Sequence, residues 1–270
     1  MHYIGSKYYM RKPMAEIINR FTAPEEGKRD FVSLFCGSCK VESLIDCRTR
    51  IINDKQKYVS AMWSDLLDGY KFPFSVADKE TWQKYKDMVL TDTVPREEYP
   101  IAAFMGTCYS LFGKWYGSFY KNVYKKDPTR EYNGMNGIYK CAEAMKGNTV
   151  VYNKDYRDVP VPEGAVVLAD PPYMGVSNEV WGVGERFDHD RFWQYMLELV
   201  NAGHVVFVTE CTAPIGWVEV CSRVKKKLSV IKHVDGKPTY GEYKDCMFVH
   251  QSQLHLIKEE ENHNGNNEEH

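Results

Sequence analysis

Short runs of β-branched and aromatic residues alternate with helical patterns along most of the chain. Apolar positions at helical spacing predict helices over residues 10–21, 40–47 and 190–200, the last with Asp188 as its N-cap. The apolar runs predict strands over residues 31–35, 50–53, 149–153, 165–169, 204–209, 228–232 and 246–250. Buried strands that alternate with helices favour an α/β fold, in which a largely parallel sheet carries helices on both faces.

This alternation stops between residues 57 and 147. The segment is rich in Tyr, Trp, Phe, Lys and Gly and is too long for a plain loop, so we predict an inserted, mainly helical domain. Residues 1–56 and 148–255 then form one discontinuous domain. The remaining residues, 256–270, form an acidic tail that we expect to be disordered, because it carries five Glu and one Lys and is rich in Asn.

Composition describes a globular protein of the cytoplasm. Hydrophobic residues make up 43% of the chain and aromatic residues 14%, and no apolar run approaches the length that spans a membrane. Eight scattered cysteines fit reduced thiols. Cys36 and Cys39 have Cys-x-x-Cys spacing, which favours small residues in a tight turn, with a redox motif as the alternative. A zinc site would need further ligands nearby, so no metal is expected.

The net charge of −2 hides a basic segment. Seven lysines and arginines lie between Ser110 and Lys146, against three acidic residues. A locally basic segment on a near-neutral protein is sufficient for a polyanion-binding surface. A solvated basic face is the alternative.

Residues 31–42 predict a strand, a small-residue turn and the start of a helix. Such a turn lets the backbone approach a nucleoside closely, while the N-terminus of a helix presents free N–H groups. Asp54 ends the next predicted strand, 17 residues after Gly37. An acid at that place can accept hydrogen bonds from both ribose hydroxyls, although Asp54 can also serve as a helix N-cap.

The most informative segment is Asp170-Pro171-Pro172-Tyr173, directly after the apolar run 165–169. The prolines fix an extended backbone without N–H donors, which leaves a carboxylate, carbonyl oxygens and a ring at the carboxyl end of a strand. The Asp170 carboxylate and the Pro171 carbonyl can hold both hydrogens of an exocyclic amine, whose lone pair then points at an electrophilic methyl group. Where that amine belongs to a nucleobase, the Tyr173 ring can stack on the base. A base in a duplex cannot reach such a pocket and must first be flipped out of the helix. A turn with a buried Tyr is the alternative.

In motif content and order the chain resembles the Dam-type family of adenine-N6 DNA methyltransferases. The resemblance implies a Rossmann-like S-adenosylmethionine-dependent methyltransferase sheet, a target-recognition insertion and S-adenosylmethionine as the cofactor. The residues that match the family's cofactor motifs are Tyr3, Lys7, Phe35, Gly37, Ser38, Cys39, Asp54, Asp155 and Asp170. Cys39 departs from the family, which usually has glycine there, so we expect weaker cofactor binding at most. Lys7 as a surface charge and Asp155 as a turn cap are the alternatives.

The insertion also resembles the family's recognition segment, which implies double-stranded DNA as the partner. Its basic residues are suited to contact phosphates: Lys114, Lys121, Lys125, Lys126 and Arg130. Tyr116 or Phe119 is suited to fill the gap left by the flipped adenine, although packing inside the insertion explains each ring as well. Residues 175–187, with Trp181, are suited to close over the base or to form an ordinary connection. We expect a monomer, with a dimer on DNA as the alternative, and no membrane partner.

Two other functions stay open at this stage. The first is a methyltransferase for another acceptor, such as cytosine N4, adenine in RNA or a protein amide. Asp170 at the first motif position favours adenine, because family members with those other acceptors often carry Ser or Asn there. The second is a catalytically silent DNA-binding protein with the same fold, which only the departure at Cys39 supports.

Overall fold

The computed structural model describes residues 5–73, 78–120, 129–175, 187–234 and 237–257. Side chains are described throughout these ranges except in 129–134, 225–234 and 237–241. Seven strands form one sheet: β1 (Phe31–Ser33), β2 (Arg50–Asn53), β3 (Thr149–Tyr152), β4 (Val166–Ala169), β5 (Val205–Glu210), β6 (Trp217–Val234) and β7 (Lys237–His250). The five strands that the apolar runs predict before residue 210 are therefore confirmed, with ends that shift by one or two residues.

The strands lie in the order β3-β2-β1-β4-β5-β7-β6, and all neighbours from β3 to β5 are parallel. β7 runs antiparallel to both β5 and β6. The two short strands predicted near the C-terminal end are parts of this hairpin, whose arms of 18 and 14 residues are far longer than predicted. The strand order reverses between β1 and β4, and open α/β sheets bind ligands at the carboxyl ends of strands at such a point.

In the described ranges, six helices accompany the sheet: α1 (Arg11–Thr22), α2 (Lys57–Leu67), α3 (Lys79–Leu90), α4 (Tyr99–Cys108), α5 (Thr129–Met145) and α6 (His189–Asn201). The predicted N-cap of α6 is confirmed, because the Asp188 carboxylate accepts the backbone N–H of Arg191 at 3.0 Å. The helix predicted over residues 40–47 is wrong, since only a short 3₁₀ turn, Glu42–Leu44, forms there. The buried Arg50 guanidinium donates hydrogen bonds to the backbone carbonyls of Glu42 and Ile45, at 3.0 and 2.5 Å. In an α-helix these carbonyls would accept backbone N–H groups instead.

Both faces of the sheet are covered by helices, as predicted. On one face, α1 packs on alternate strand residues such as Phe31, Val166 and Phe207. On the other face, α6 packs on the intervening residues, such as Val167 and Val208. This two-residue alternation places every side chain of the central strands in a core, which explains their continuous apolar runs.

The segment 57–147 is helical in its described part, as predicted, and contains α2 to α5. Its apolar side chains share one hydrophobic cluster with Ile52 of β2, so this segment packs directly on the sheet. In α4, a Cβ at Gly106 would lie 2.7 Å from the ring of Tyr116, and this close approach requires glycine. The division into domains stays a prediction.

At the C-terminal end, Ile257 is buried against the α1 cluster, so packed chain continues beyond the predicted start of the tail at residue 256. The rest of the tail lies outside the described residues. Across the described ranges, the helices are all too short or too polar to cross a membrane.

The α1 core supplies a test of the fold. Phe207 is fully buried on β5, with its ring centroid 5.7 Å from that of Phe21. We expect Phe207→Ala to lower the free energy of unfolding by about 3–5 kcal/mol, because it removes a buried ring and leaves a cavity. Urea unfolding measures the change. Leu90→Ala, at a side chain that is 74% exposed, is the control and should change stability by less than about 0.5 kcal/mol. Equal effects of the two substitutions would contradict the assigned core.

Candidate active site

An ion pair lies where β4 and β5 end. The parallel register pairs Ala169 with Val208, so Asp170 and Thr209 follow as neighbours, and the Thr209 hydroxyl donates to Asp170 Oδ1 at 2.5 Å. Lys7 comes from the segment before α1, and its Nζ lies 2.6 Å from the same oxygen. It also donates to the Gly5 carbonyl at 2.8 Å. Lys7 is only 4% exposed, so it is not the surface charge that the sequence left open.

Tyr173 belongs to the same group of side chains. The Lys7 ammonium lies over its ring, 4.7 Å from the centroid. The Tyr173 hydroxyl donates a short hydrogen bond to Asp245 Oδ1 on β7, and Asp245 is buried. The ring is therefore held at its far end by a hydroxyl bond and on one face by a cation.

Burial and charge set the protonation of this group. Burial raises the pKa of Asp170, while Lys7 and the Thr209 hydroxyl lower it. Burial alone would lower the pKa of Lys7, but the carboxylates of Asp170 and Asp245 outweigh it and the pKa is raised, so Lys7 keeps its charge. Burial, helped by the same two carboxylates, raises the pKa of Tyr173 well above its ordinary value, which keeps the hydroxyl a donor.

The small-residue turn after β1 is tied to the end of β2. Asp54 is buried, and its carboxylate accepts the Gly37 N–H at 3.0 Å and the Gln56 N–H at 2.9 Å. Burial raises the pKa of Asp54 to about 6. The N-cap of α2 is Gln56, whose side chain accepts the Tyr58 N–H, so Asp54 is not the cap residue. From α2, the indole of Trp63 donates to the Gly37 carbonyl at 2.8 Å and holds the turn from the other side.

Cys39 has a φ of 49°, in the left-handed region that favours glycine. This conformation fits the resemblance to a glycine position. Its side chain is fully buried in the cluster formed with α2, α4 and α5. Burial raises the pKa of Cys36 to about 11 and that of Cys39 well above its ordinary value, so both thiols stay protonated. Redox cysteines have lowered pKa values, so the tight-turn interpretation is favoured.

Two further cofactor candidates, Ser38 and Phe35, have described contacts. Ser6 and Ser38 share a hydroxyl hydrogen bond of 3.0 Å, which ties the N-terminal segment to the turn. The ring of Phe35 packs on that of Tyr156, with centroids 5.4 Å apart. Tyr3 lies outside the described residues.

Asp155 has charged partners of its own. Its carboxylate pairs with the Arg157 guanidinium at 2.7 Å and with the Lys55 ammonium at 3.5 Å, and the Arg157 hydrogen bond lowers its pKa despite burial. It also accepts the Arg157 backbone N–H at the start of the turn Tyr156–Asp158. The capping role that the sequence left open is therefore present, at a carboxylate that stays ionised.

The predicted DNA-contacting residues are described only in part. Lys114 is exposed. Tyr116 is buried and donates its hydroxyl to the Ala102 carbonyl at 2.8 Å, which favours the core interpretation for this ring. Phe119 is half-buried, with its centroid 5.8 Å from that of Trp82. Outside the described residues lie Lys121, Lys125, Lys126 and Trp181, as does the side chain of Arg130.

Sequence reasoning missed several polar residues of this edge: Glu42, Trp63, Thr209, Glu210 and Asp245. Thr209 and Glu210 carried a usable signal, because polar residues that end a buried strand lie where parallel sheets bind ligands. Asp245 carried none, since it is one charged residue in a long polar hairpin strand. Among the described residues, no cluster of His, Cys, Asp and Glu is arranged to hold a metal ion.

Comparison with known proteins adds no assignment: neither the family models searched nor the curated proteins searched match this sequence. The interpretation of the site therefore rests on its own chemistry and geometry.

The buried acids predict an unusual pH dependence of stability. Glu42 is buried, and its carboxyl group accepts a hydrogen bond of 2.8 Å from the hydroxyl of Ser33 on β1. Burial raises the pKa of Glu42 to about 7. Because the folded pKa exceeds the unfolded value, its stabilising effect is present at low pH and is lost as pH rises through about 7. Glu42→Gln keeps an acceptor for Ser33, so at pH 8 it should exceed the wild type in unfolding free energy by on the order of 1–3 kcal/mol.

The advantage of Glu42→Gln should shrink towards pH 5, as measured by urea unfolding across this range. Glu26→Gln, at an exposed position, is the control and should leave the pH profile unchanged. A difference between Glu42→Gln and the wild type that is constant with pH would contradict the buried, titrating carboxyl.

Proposed function

We propose that this protein is a DNA adenine methyltransferase that transfers a methyl group from S-adenosylmethionine to N6 of a flipped-out adenine. The observation that carries the proposal is the position of the Lys7 ammonium. This nitrogen donates to the Asp170 carboxylate at 2.6 Å and lies over the Tyr173 ring. Carboxylate and ring thus hold one nitrogen donor between them, which supports their use in binding the amino group of a target base.

The chemistry of the acceptor explains why these groups are needed. An exocyclic amine is a weak nucleophile because its lone pair is delocalised into the base. A carboxylate at Asp170 and the Pro171 carbonyl can accept its two hydrogens, which favours a pyramidal nitrogen and stabilises the positive charge that develops there. Tyr173, fixed by Asp245, offers its ring for stacking on the base.

Lys7 has a role in this scheme before the amine binds. A buried carboxylate without a partner is costly, and the ammonium neutralises Asp170 in the ligand-free protein. The target amine has to take over the hydrogen bond to Asp170. Lys7 stays charged during this exchange because Asp245 also supports its positive charge.

The residues of the sheet edge fit the cofactor. Asp54 follows β2 and uses one lone pair of each oxygen for a backbone N–H, so lone pairs remain for both ribose hydroxyls. Gly37 and Ser38 form the small-residue turn beside it, and Asp155 remains an ionised acceptor. When bound, S-adenosylmethionine supplies an electrophilic methyl group on a sulfonium. The strand order β3-β2-β1-β4-β5 is that of nucleotide-binding α/β sheets, which supports this assignment.

DNA as the partner rests on the family resemblance and on the basic segment. The exposed Lys114 is joined by Lys79 and Lys86, which line an open groove together with Trp82 and Phe119. Lysines beside aromatic rings suit a phosphate backbone, which gives affinity without sequence information. The target site remains to be mapped on DNA.

Asp170 supplies the direct test of catalysis. We expect Asp170→Ala to reduce methyl transfer to DNA by a factor of at least about 10³, because the principal acceptor for the amine is lost. A labelled-methyl assay on DNA from a methylation-free host measures it, with modified adenines mapped afterwards. DNA binding should be largely intact, because the phosphate contacts lie elsewhere.

The control for Asp170→Ala is Asp46→Ala, at an exposed aspartate paired with Lys28, which should methylate like the wild type. RNA and peptide substrates are assayed in parallel. Transfer to those substrates alone would replace DNA as the acceptor, and full activity of Asp170→Ala would contradict the proposed role of Asp170.

Asp54 tests the cofactor site independently. We expect Asp54→Asn to weaken S-adenosylmethionine binding by about 10- to 100-fold, because it removes a charge-assisted acceptor for the ribose. Isothermal titration calorimetry measures the affinity, with Asp46→Asn as the matched control. An unchanged affinity would remove Asp54 from the cofactor site. If the wild type bound DNA but no cofactor, the protein would be a silent DNA-binding homologue.

A further inference from the structure

Glu210, the last residue of β5, has a buried carboxylate oxygen that the site described above does not use. Its side chain is 2% exposed, and Oε1 accepts the Met174 N–H at 3.0 Å. Oε2 is buried and has no hydrogen-bond partner among the described residues. Buried polar atoms are almost always paired, and an exception needs an explanation.

The position of Glu210 links it to the Asp170 site. β4 and β5 are neighbours, and Met174, whose N–H Glu210 accepts, directly follows Tyr173. Neighbouring residues of a strand point to opposite faces, so Thr209 reaches Asp170 on one side while Glu210 lies on the other. A ligand that lies across the end of the sheet can therefore meet both carboxylates.

The charges of this edge favour a donor as that ligand. The pKa of Glu210 is raised to about 7, mainly by burial and also by Asp170, and the backbone N–H groups of Met174 and Cys211 and the charge of Lys7 offset part of this rise. Among the described residues, three carboxyl groups interact with the single ammonium of Lys7: Glu210 and Asp245, which are buried, and Asp170, whose side chain is 24% exposed. A ligand that brings N–H groups or positive charge would relieve this imbalance.

We propose that Oε2 of Glu210 is a further acceptor of this site, which receives an N–H hydrogen of the bound ligand and lacks a partner until that ligand arrives. The inference rests on the proposed function, which supplies two sources of such a hydrogen. One is an amino group of the cofactor, and the other is the amine of the target base.

The test replaces Glu210 with glutamine. Glu210→Gln keeps an acceptor for the Met174 N–H but can place an NH₂ donor where Oε2 now lies. Affinity for S-adenosylmethionine alone is measured by calorimetry, and kcat/KM for DNA from a methylation-free host is measured at saturating cofactor. We expect a loss of about 10- to 100-fold in at least one of the two quantities. A loss of cofactor affinity assigns the hydrogen to the cofactor, and a loss of kcat/KM alone assigns it to the base.

Two further readouts separate ligand binding from a structural role. Without ligand, Glu210→Gln should raise Tm by about 2–4 °C, since an unsatisfied buried carboxylate is removed. Binding to the wild type at pH 7 should release a fraction of a proton, because the ligand favours the carboxylate. Calorimetry in two buffers of different ionisation enthalpy detects this release, which should be smaller in Glu210→Gln because Asp54, with a pKa of about 6, still contributes. The release in the wild type tests the proposal even if the variant folds poorly.

The control is Glu26→Gln. Glu26 is an exposed glutamate outside the site, so its replacement should change neither cofactor affinity nor kcat/KM. Wild-type values of both quantities in Glu210→Gln, or no proton release by the wild type, would overturn the role of Glu210 alone. A wild type that binds no S-adenosylmethionine would instead overturn the proposed function, and the inference with it.

Discussion

The ion pair between Lys7 and Asp170 is the interaction on which the arrangement of the site depends. The two residues are 163 positions apart in sequence, and the buried Lys7 ammonium meets the half-buried Asp170 carboxylate at 2.6 Å. Removal of either charge would leave the other without its main partner, which is costly where water is largely excluded. Through this pair the segment before α1 is attached to the end of β4. The positive charge of Lys7 also interacts favourably with the carboxylate of Asp245, which accepts the Tyr173 hydroxyl. Charges from three distant parts of the chain therefore stabilise one another.

The parallel sheet is what allows these groups to meet. Because β1 lies between β2 and β4, the turn at Gly37 has Asp54 on one side and Asp170 on the other. The Ser6–Ser38 hydrogen bond then joins the N-terminal segment to this turn, next to Lys7. Cofactor candidates and Asp170, the proposed acceptor for an amine, therefore lie along one edge, although four separate stretches of sequence supply them.

Local patterns failed where a distant partner changed the outcome. The helical spacing over residues 40–47 was a fair local signal, but Arg50 from β2 takes the carbonyls that a helix would use. For Tyr116 the sequence left open a contact with DNA or packing inside the insertion, and its hydroxyl bond to the Ala102 carbonyl favours packing. Asp155 caps a turn, which was the alternative interpretation, and its contact with a cofactor stays a prediction for a carboxylate that remains ionised.

The amino-acid sequence by itself determined the five parallel strands, the α/β class and the Asp170–Tyr173 motif, because strand periodicity and the backbone limits of proline are local properties. It also indicated Asp54 and the small-residue turn, which follow strands directly. Only the tertiary structure decided that Glu210 and Asp245 join the site, and which buried acids have raised pKa values. These properties depend on desolvation and on charges contributed by residues far apart in the chain, and a local pattern does not encode them.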